Sequence, residues 1–335
     1  MNFDLDDEHQ ALADAARDFL SATASPTAAR AALEDGAGSE PAPGRAELVK
    51  SGFATITVPE SAGGGGGSVL DLAVVAEQAG RLLAGPSLVT FARAAVLLAD
   101  DEERLTDLGS GALSVAVVDR GPVLDAVGAD TFLALRDGDL VRADGTVTAR
   151  EPIDPTRGLG DVALGETTVL VSGATDLWQR AERVGRTILA AEGLGAASRA
   201  LEIGVEYAKE RHAFGRAIGS YQAVKHLLVD TYVEVEQLRS LVWWAAWAAD
   251  HAPDELPLAS AAAKAAAATT LERAAETLIQ VHGGIGFTWE HDAHLYWRRA
   301  KVDRFLLGDD VAAFDEVARL AMGQAQQAAD AAVAR

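Results

Sequence analysis

One apolar stripe constrains this chain more than any other feature. Between Ser220 and Asp250, the residues Val224, Leu228, Thr231, Val235, Leu238, Val242 and Ala245 recur every three or four positions. A mean spacing of 3.5 marks the seam of a helix bundle. Carried to Asp250, such a helix spans roughly 45 Å at ~1.5 Å per residue. A stripe that long needs equally long neighbours to cover it, and the chain supplies them. One helix is expected from Asp176, read as its cap, to about Arg211, and Ser220 is the expected N-cap of the striped helix. A third runs from about Leu256 to Val281, with alanine runs that permit close packing, and Gly283-Gly284 ends it in a left-handed cap. A fourth begins near Asp309, and its tail from residue 324 is expected to fray. Residues 176–335 therefore predict an up-down four-helix bundle.

The rest divides in two. Residues 1–110 read as a helical domain. Leu5, Leu12, Ala16 and Phe19 recur at helical spacing, Ser25-Pro26 breaks the pattern, and residues 35–45 form a loop. Gly63 to Gly67 precede Ser68 and the apolar helix VLDLAVVAEQAGRLL. The glycine run lacks the Lys and Ser/Thr of a phosphate loop, so a flexible connection is the preferred reading. Residues 111–175 change character. The segments ALSVAVVD, TFLALRDGDLVRAD, TVTAR and TTVLVSG are short and rich in Val and Thr, with Asp137-Gly138 and Asp144-Gly145 as expected hairpin turns. The prediction is a mainly α chain with a small antiparallel β domain in the middle.

Composition excludes several functions. Lys and Arg number 29 against 50 Asp and Glu, a formal net charge of -21. Such a surface repels phosphate backbones, which argues against nucleic-acid binding. The absence of cysteine removes disulfides, thiolate metal sites and a Cys nucleophile. The N-terminus is acidic where a signal peptide is basic. The most apolar run, Leu241 to Ala249, is about half a membrane span. The expectation is a soluble, cytoplasmic protein. Three further signals are set aside. GLGAAS (Gly193–Ser198) resembles a dinucleotide fingerprint but lies inside a helical pattern with no preceding strand. His291 and His294 could share a helix face, but nothing completes a zinc set. No serine occupies a nucleophile elbow.

Two distant segments carry the chemistry. In YAKERHAFGRAIGSYQAVKHLLVD (Tyr207–Asp230), Arg211 ends one helix and Phe214-Gly215 turns the chain into the next. An Arg beside exposed amides suits a phosphate, and Phe214 offers a flat face to an aromatic ring. The alternative is a helix corner with a solvated Arg and a core Phe. In QVHGGIGFTWEHDAHLYWRRAKVDRFLLGDD (Gln280–Asp310), Gly283, Gly284 and Gly286 allow close approach of a ligand or another backbone. The alternative is simple helix capping.

Together these segments resemble the acyl-CoA dehydrogenase family. The likeness rests on Arg211, Phe214, Gly215 and Gln222, then Gln280, Gly283, Gly284, Gly286, Phe287, Glu290 and Arg298. It extends over the whole chain in element order, and Val58–Gly64 and Leu70–Arg81 resemble the family's N-terminal helical domain. The resemblance implies FAD, an acyl-CoA thioester and α,β-desaturation, in which a carboxylate takes the α-proton and hydride leaves to the flavin. It implies that Arg211, Phe214, Gln222, Gln280, Gly283 and Gly284 hold the FAD of a neighbouring subunit.

The chain also departs from the family pattern. The usual base, a Glu in a Tyr-Glu-Gly-Thr turn, falls on Leu307 of Leu306-Leu307-Gly308-Asp309. The alternative base position, on the first bundle helix, falls on Gly185, with Glu182 nearby and expected on another face. General-base catalysis needs a titratable group within reach, and neither residue is one. The flavin-holding Thr-Glu-Pro-x-x-Gly-Ser-like segment has only a poor relative in Glu151–Asp161. This pattern resembles the smaller, degenerate subunits of heteromeric steroid-degrading acyl-CoA dehydrogenases of actinobacteria. It implies an α2β2 partnership with a larger catalytic subunit that binds most of the acyl-CoA, a steroid side-chain thioester among the candidates. Two alternatives stay open: an active homomeric dehydrogenase with Glu182 or Glu290 as displaced base, and an assembly protein without flavin. Asp309, where the family has Thr, raises the question of repulsion with the cofactor's phosphate.

Overall fold

The computed structural model describes residues 5–24, 26–36, 38, 40–151 and 153–333. Ser25, expected to break the first helix, lies outside them. Six helices come first: α1 (Asp7–Thr23), α2 (Pro26–Asp35), α3 (Arg45–Lys50), α4 (Val69–Arg81), α5 (Leu88–Leu97) and α6 (Glu102–Ser110). Four strands follow: β1 (Val115–Val118), β2 (Thr131–Arg136), β3 (Asp139–Ala149) and β4 (Gly160–Val171). The bundle comprises α7 (Thr175–Glu210), α8 (Gln222–His251), α9 (Leu256–His282), the shorter α10 (Ala293–Asp303) and α11 (Asp310–Val333). The order of helices, β domain and bundle agrees with the sequence expectation.

Local chemistry sets many of the boundaries. Ser68 caps α4 in a capping box: its hydroxyl accepts from the Asp71 N–H at 3.1 Å, and Asp71 accepts from the Ser68 N–H at 2.7 Å. In α8 the predicted seam faces inward, with Leu228, Thr231, Val235, Leu238, Val242 and Ala245 buried. Two expected caps move. Asp176 lies in the first turn of α7, where a carboxylate complements the helix dipole, but it makes no cap hydrogen bond. Ser220 belongs to a 3-10 turn, where its hydroxyl donates to the Ala217 carbonyl at 2.7 Å, and α8 starts at Gln222. The helix α10 was not anticipated, and α11 continues regularly to Val333, past the point where fraying was expected.

The sheet is mixed, which corrects the antiparallel expectation. β1 pairs with β2 in parallel, Val115 opposite Thr131, because residues 119–130 cross back before the second strand begins. β2–β3 and β3–β4 are antiparallel. Asp137-Gly138 does form a tight turn, with φ of 52° and 89°. Asp144-Gly145 does not turn but lies within β3, at a register shift against β4. A Cβ on Gly145 would sit 2.8 Å from the Phe132 ring, so the glycine makes room for that side chain while the strand runs on.

The inset fingerprint GLGAAS proves to be packing. A Cβ on Gly195 would lie 1.8 Å from the Glu77 carbonyl oxygen, and one on Gly80 would lie 1.8 Å from that of Glu192. At this crossing α4 and α7 therefore touch backbone to backbone.

A buried ionic network joins the three parts of the chain. Arg157, fully buried, donates to Asp303 at 2.7 and 2.5 Å and to Glu192 at 2.5 Å. Glu192 accepts in turn from the Ser87 hydroxyl at 2.8 Å and the Leu88 N–H at 3.0 Å. Arg299 holds Asp154 at 2.6 Å, and Asp125 accepts from the Ser87 N–H at 3.0 Å and from Thr90. Burial pushes the Asp125 carboxyl up from 3.8 to about 6, against the pull of Arg45.

Two outcomes test this network. Arg157→Met strands Glu192 and Asp303 without a counter-charge and should cost about 3–5 kcal/mol in urea unfolding. The raised Asp125 pKa gives stability that is full below pH 4 and is lost as pH rises through 6. Relative to Asp125→Asn, the wild type should lose about 2 kcal/mol between pH 4 and pH 7, and a gain over that window would refute the assignment.

Candidate functional site

The first candidate region is the corner between α7 and α8. Arg211 ends α7: its N–H bonds to the Tyr207 carbonyl at 2.8 Å, its carbonyl accepts from Ile218 N–H at 2.7 Å, and its side chain is exposed. His212 pairs with Ala217 and Ala213 with Arg216, so Phe214 and Gly215 form the hairpin tip with φ of 52° and 82°. Tyr221 braces this tip. Its hydroxyl donates to the Ala213 carbonyl at 3.0 Å, and the Arg216 guanidinium lies 3.9 Å from the ring centroid. Phe214 is consequently held out at 97% exposure, which overturns the alternative of a core phenylalanine.

The second motif arrives at the same corner from α9. Gln280 is exposed on its last turn, and Gly283 follows with φ of 64°. A Cβ on Gly283 or Gly284 would meet nothing within 4 Å, whereas one on Gly286 would lie 3.0 Å from the Ile279 carbonyl. Gly286 serves internal packing, and the other two keep an outer surface bare. Phe214 and Gln280 line one groove of about 380 Å³ with Tyr221, Val224, Leu227 and Val281. Gln222 starts α8 next to groove-lining Ala223, with its side chain exposed. Arg211, Gly283 and Gly284 flank the groove in sequence but do not line it.

Aromatic stacking supports the glycine turn from behind. The His282 ring stacks on Tyr207 at 4.0 Å and meets His291 at 4.2 Å. Burial lowers the pKa of both histidines. His291 precedes α10 and accepts from the Ala293 N–H at 3.1 Å, so it does not share a helix face with His294. No group of three metal-ligating side chains exists among the described residues. Arg298 donates to the Ile153 carbonyl at 2.9 Å and lies over the Trp289 ring, a bracing role, and Glu290 is exposed.

The second candidate region surrounds Leu307. A Cβ on Gly185 would lie 3.1 Å from Leu307 Cδ1 and 2.7 Å from Arg93 Cδ. The two base positions inferred from sequence are therefore neighbours in space, and Arg93 fills the gap beside them. Arg93 is 3% exposed. It grips Asp119 with two N–H groups, one at 2.8 Å, and lies 5.3 Å from the Trp178 ring centroid. Two cavities meet here, sharing Asp119, Arg120, Phe305 and Leu307: one of about 350 Å³ towards α5, and one of about 720 Å³ towards β2. Glu182 lines the larger cavity, contrary to the expectation that it faces elsewhere. Its carboxylate is paired with Arg186 at 2.8 Å, and Arg186 also donates to the Leu307 carbonyl at 3.0 Å and binds Glu316 at 2.6 Å. Asp309 accepts from the Ala312 N–H at 2.8 Å and so caps α11.

Sequence reasoning missed Arg93, Asp119 and Arg157. Arg93 did leave a signal, as the single charge in the apolar helix LVTFARAAVL.

Two family models match this chain. Residues 6–100 match the acyl-CoA dehydrogenase N-terminal domain, and residues 176–332 match the acyl-CoA dehydrogenase C-terminal domain. The chain belongs to the acyl-CoA dehydrogenase family. Acyl-CoA dehydrogenase IpdE2 of Mycobacterium tuberculosis is 38% identical over 304 residues, covering 88% of this chain and 91% of the relative. Among solved structures, the Tcur3481-Tcur3483 steroid ACAD G363A variant has a TM-score of 0.81 at 26% identity, covering 95% of this chain and 99% of that one. The ChsE4-ChsE5 complex from Mycobacterium tuberculosis has a TM-score of 0.80 at 26% identity, covering 95% and 98%.

For this acyl-CoA dehydrogenase-family chain, the crowding at Gly185 makes a direct prediction. Gly185→Ala should destabilise by about 1–3 kcal/mol through overpacking. Adding Arg93→Ala should remove most of that penalty, a non-additivity that a double-mutant cycle in urea would measure.

Proposed function

We propose that this chain is the FAD half-site subunit of a heteromeric acyl-CoA dehydrogenase. In this reading a larger catalytic partner supplies the base for α,β-desaturation and binds most of the acyl-CoA. The observation that carries the proposal is the contrast between the two regions. Neither Leu307 nor Gly185 carries a proton acceptor, and the buried Arg93 side chain, paired with half-buried Asp119, packs beside them. At the α7–α8 corner, by contrast, Phe214, Gln280 and two bare glycines form an outward-facing surface.

The corner fits FAD. The groove lining contains no carboxylate to oppose a pyrophosphate, while Arg211 and Arg216 stand exposed at its hairpin. Arg211 would hold phosphate, Phe214 would cover a flat ring, Gln222 and Gln280 would donate amide hydrogen bonds, and Gly283 and Gly284 would admit close approach. When bound, FAD supplies the hydride acceptor.

A partner is supported by exposed apolar side chains along the bundle: Phe214, Tyr232, Phe287, Trp289 and Phe314. Both related structures, Tcur3481-Tcur3483 and ChsE4-ChsE5, are named as pairs of proteins. We place the assembly as α2β2 in the cytoplasm, with divisions near residues 110 and 175, and with a steroid side-chain thioester as substrate class after the steroid ACAD relative. The net charge of -21 suits a less acidic partner. No helix among the described residues is long and apolar enough to cross a membrane.

A second reading rests on Glu182, which shares a cavity with Leu307. An active homomer using Glu182 would require this carboxylate to leave Arg186.

Co-expression with an adjacent full-length acyl-CoA dehydrogenase separates the readings. Flavin should appear only in the mixed complex, at fewer FAD than chains by absorbance and light scattering. Arg211→Ala and Gln280→Ala should each lower its flavin content several-fold. Flavin and turnover in the lone chain, abolished by Glu182→Gln, would overturn the half-site reading.

A further inference from the structure

Three of the seven histidines lie between residues 282 and 294, from the end of α9 to the start of α10. Their rings tie the two ends of the α7–α8 corner together. His282, the last residue of α9, stacks on Tyr207 at 4.0 Å and lies 4.2 Å from His291. Tyr207 belongs to the last turn of α7, and its carbonyl accepts from the Arg211 N–H at 2.8 Å. The column of rings therefore joins the Arg211 end of α7 to the glycine turn.

Two of the rings are held neutral by the bonds they accept. His291 Nδ1 accepts from the Ala293 N–H at 3.1 Å, and His294 Nδ1 accepts from Arg298 Nε–H at 3.3 Å. A proton on either Nδ1 would set N–H against N–H and break the bond. His282 differs. Its Nδ1 donates to the Leu278 carbonyl at 2.8 Å, so its Nε2 is the atom that takes a proton. The resulting charge would stand against His291 in the same column.

The neighbours give an imidazolium little support. From α7 comes the uncharged Tyr207 ring. From α10 comes the Arg298 guanidinium, already beside His294. Asp292 favours charge on His291, but Arg30 of α2 opposes it and binds the Asp292 carboxylate. Trp289 meets His294 edge-on at 5.1 Å, and His294 Nε2 is buried without a partner. Burial lowers the pKa of all three histidines.

We propose that His282, His291 and His294 form a proton-operated latch: neutral, they hold residues 283–298 against the end of α7, and protonated, they release that segment. A histidine whose pKa is lowered in the closed form stabilises that form above its free value of about 6.5, and the contribution is lost as pH falls. At about pH 5.5, each histidine that stays neutral when closed shifts the balance about 10-fold towards the open form. The latch rests on the half-site reading only in its consequence, that opening frees a cofactor held at the glycine turn.

Hydrogen exchange on the full chain at about pH 7.5 and 5.5, corrected for intrinsic rates, tests the latch with α8 as reference. Amides 293–298 should lose about 10-fold or more of their protection in acid, while α8 keeps its own. His291→Asn retains an oxygen that accepts from the Ala293 N–H but takes no proton. It should keep about 3-fold or more of the protection that the wild type loses. Should this variant fail to fold, the ring nitrogen chemical shifts of the wild-type histidines still decide. The protons must sit on Nε2 of His291 and His294 at neutral pH, and Nδ1 must gain its proton at the midpoint of the exchange change. Unchanged protection in acid, an equal loss in the variant, or a protonated Nδ1 at neutral pH would each overturn the latch.

Flavin content of the mixed complex at the same two pH values separates the latch from the half-site reading. The FAD pyrophosphate keeps its charge over this range, so its own titration does not intrude. Flavin lost as the segment opens, and retained by His291→Asn, would support both. Opening with flavin unchanged would support the latch and overturn the placement of FAD at this turn. Flavin loss without opening would overturn the latch alone.

Discussion

Arg157 holds the three parts of this protein in one frame. It sits fully buried in the segment between β3 and β4, and its two anionic partners come from α7 and from the end of α10. Glu192 then passes the connection on to the N-terminus of α5 through Ser87 and Leu88. One guanidinium therefore fixes the β domain against both helical regions. A buried cation is tolerable only when it is fully paired, and here Asp303 and Glu192 close around it while Ser87 and Leu88 bond to Glu192 in a connected set. Both cavities lie between elements that this network holds in register, so their walls inherit its rigidity.

The segment that carries Arg157 illustrates a change of use. From sequence, Glu151–Asp161 reads as a weak counterpart of a flavin-holding loop. In the fold it is a fastening, with Asp154 taken by Arg299 and Arg157 by Asp303 and Glu192. Asp154, Thr156 and Arg157 are turned inward and satisfied by protein. Beside Leu307, buried Arg93 is paired with half-buried Asp119. The side chains of Arg211, Gln222 and Gln280 at the α7–α8 corner, by contrast, stay exposed.

How much of this was legible depended on whether the signal was periodic or relational. The α8 seam, the Ser68 cap and the Asp137-Gly138 turn announce themselves within a few residues, because helix and turn geometry is local. The Arg211–Gln222 and Gln280–Gly286 motifs were equally visible, and folding brings Phe214 and Gln280 to one groove. What escaped were pairings across the chain. The parallel β1–β2 contact depends on the path of a twelve-residue connection, and Gly145 resembles a turn residue until the Phe132 ring above it is known. Arg93 and Arg157 read as ordinary charges because their partners stand 26, 35 and 146 residues away.

The backbone contact between α4 and α7 bears on how such a chain can diverge. Where Gly80 and Gly195 meet the opposing carbonyls, the helix separation is set by main-chain atoms. Exchanging side chains cannot tune it, since any Cβ at either position collides. The crossing behaves as a fixed ruler, and the distance across the adjoining interior is inherited by every relative that keeps both glycines. Any change in the shape of the neighbouring cavity must then come from side chains on the inner face of α5 and on the stretch leaving β1, where Arg93, Asp119 and Arg120 line it.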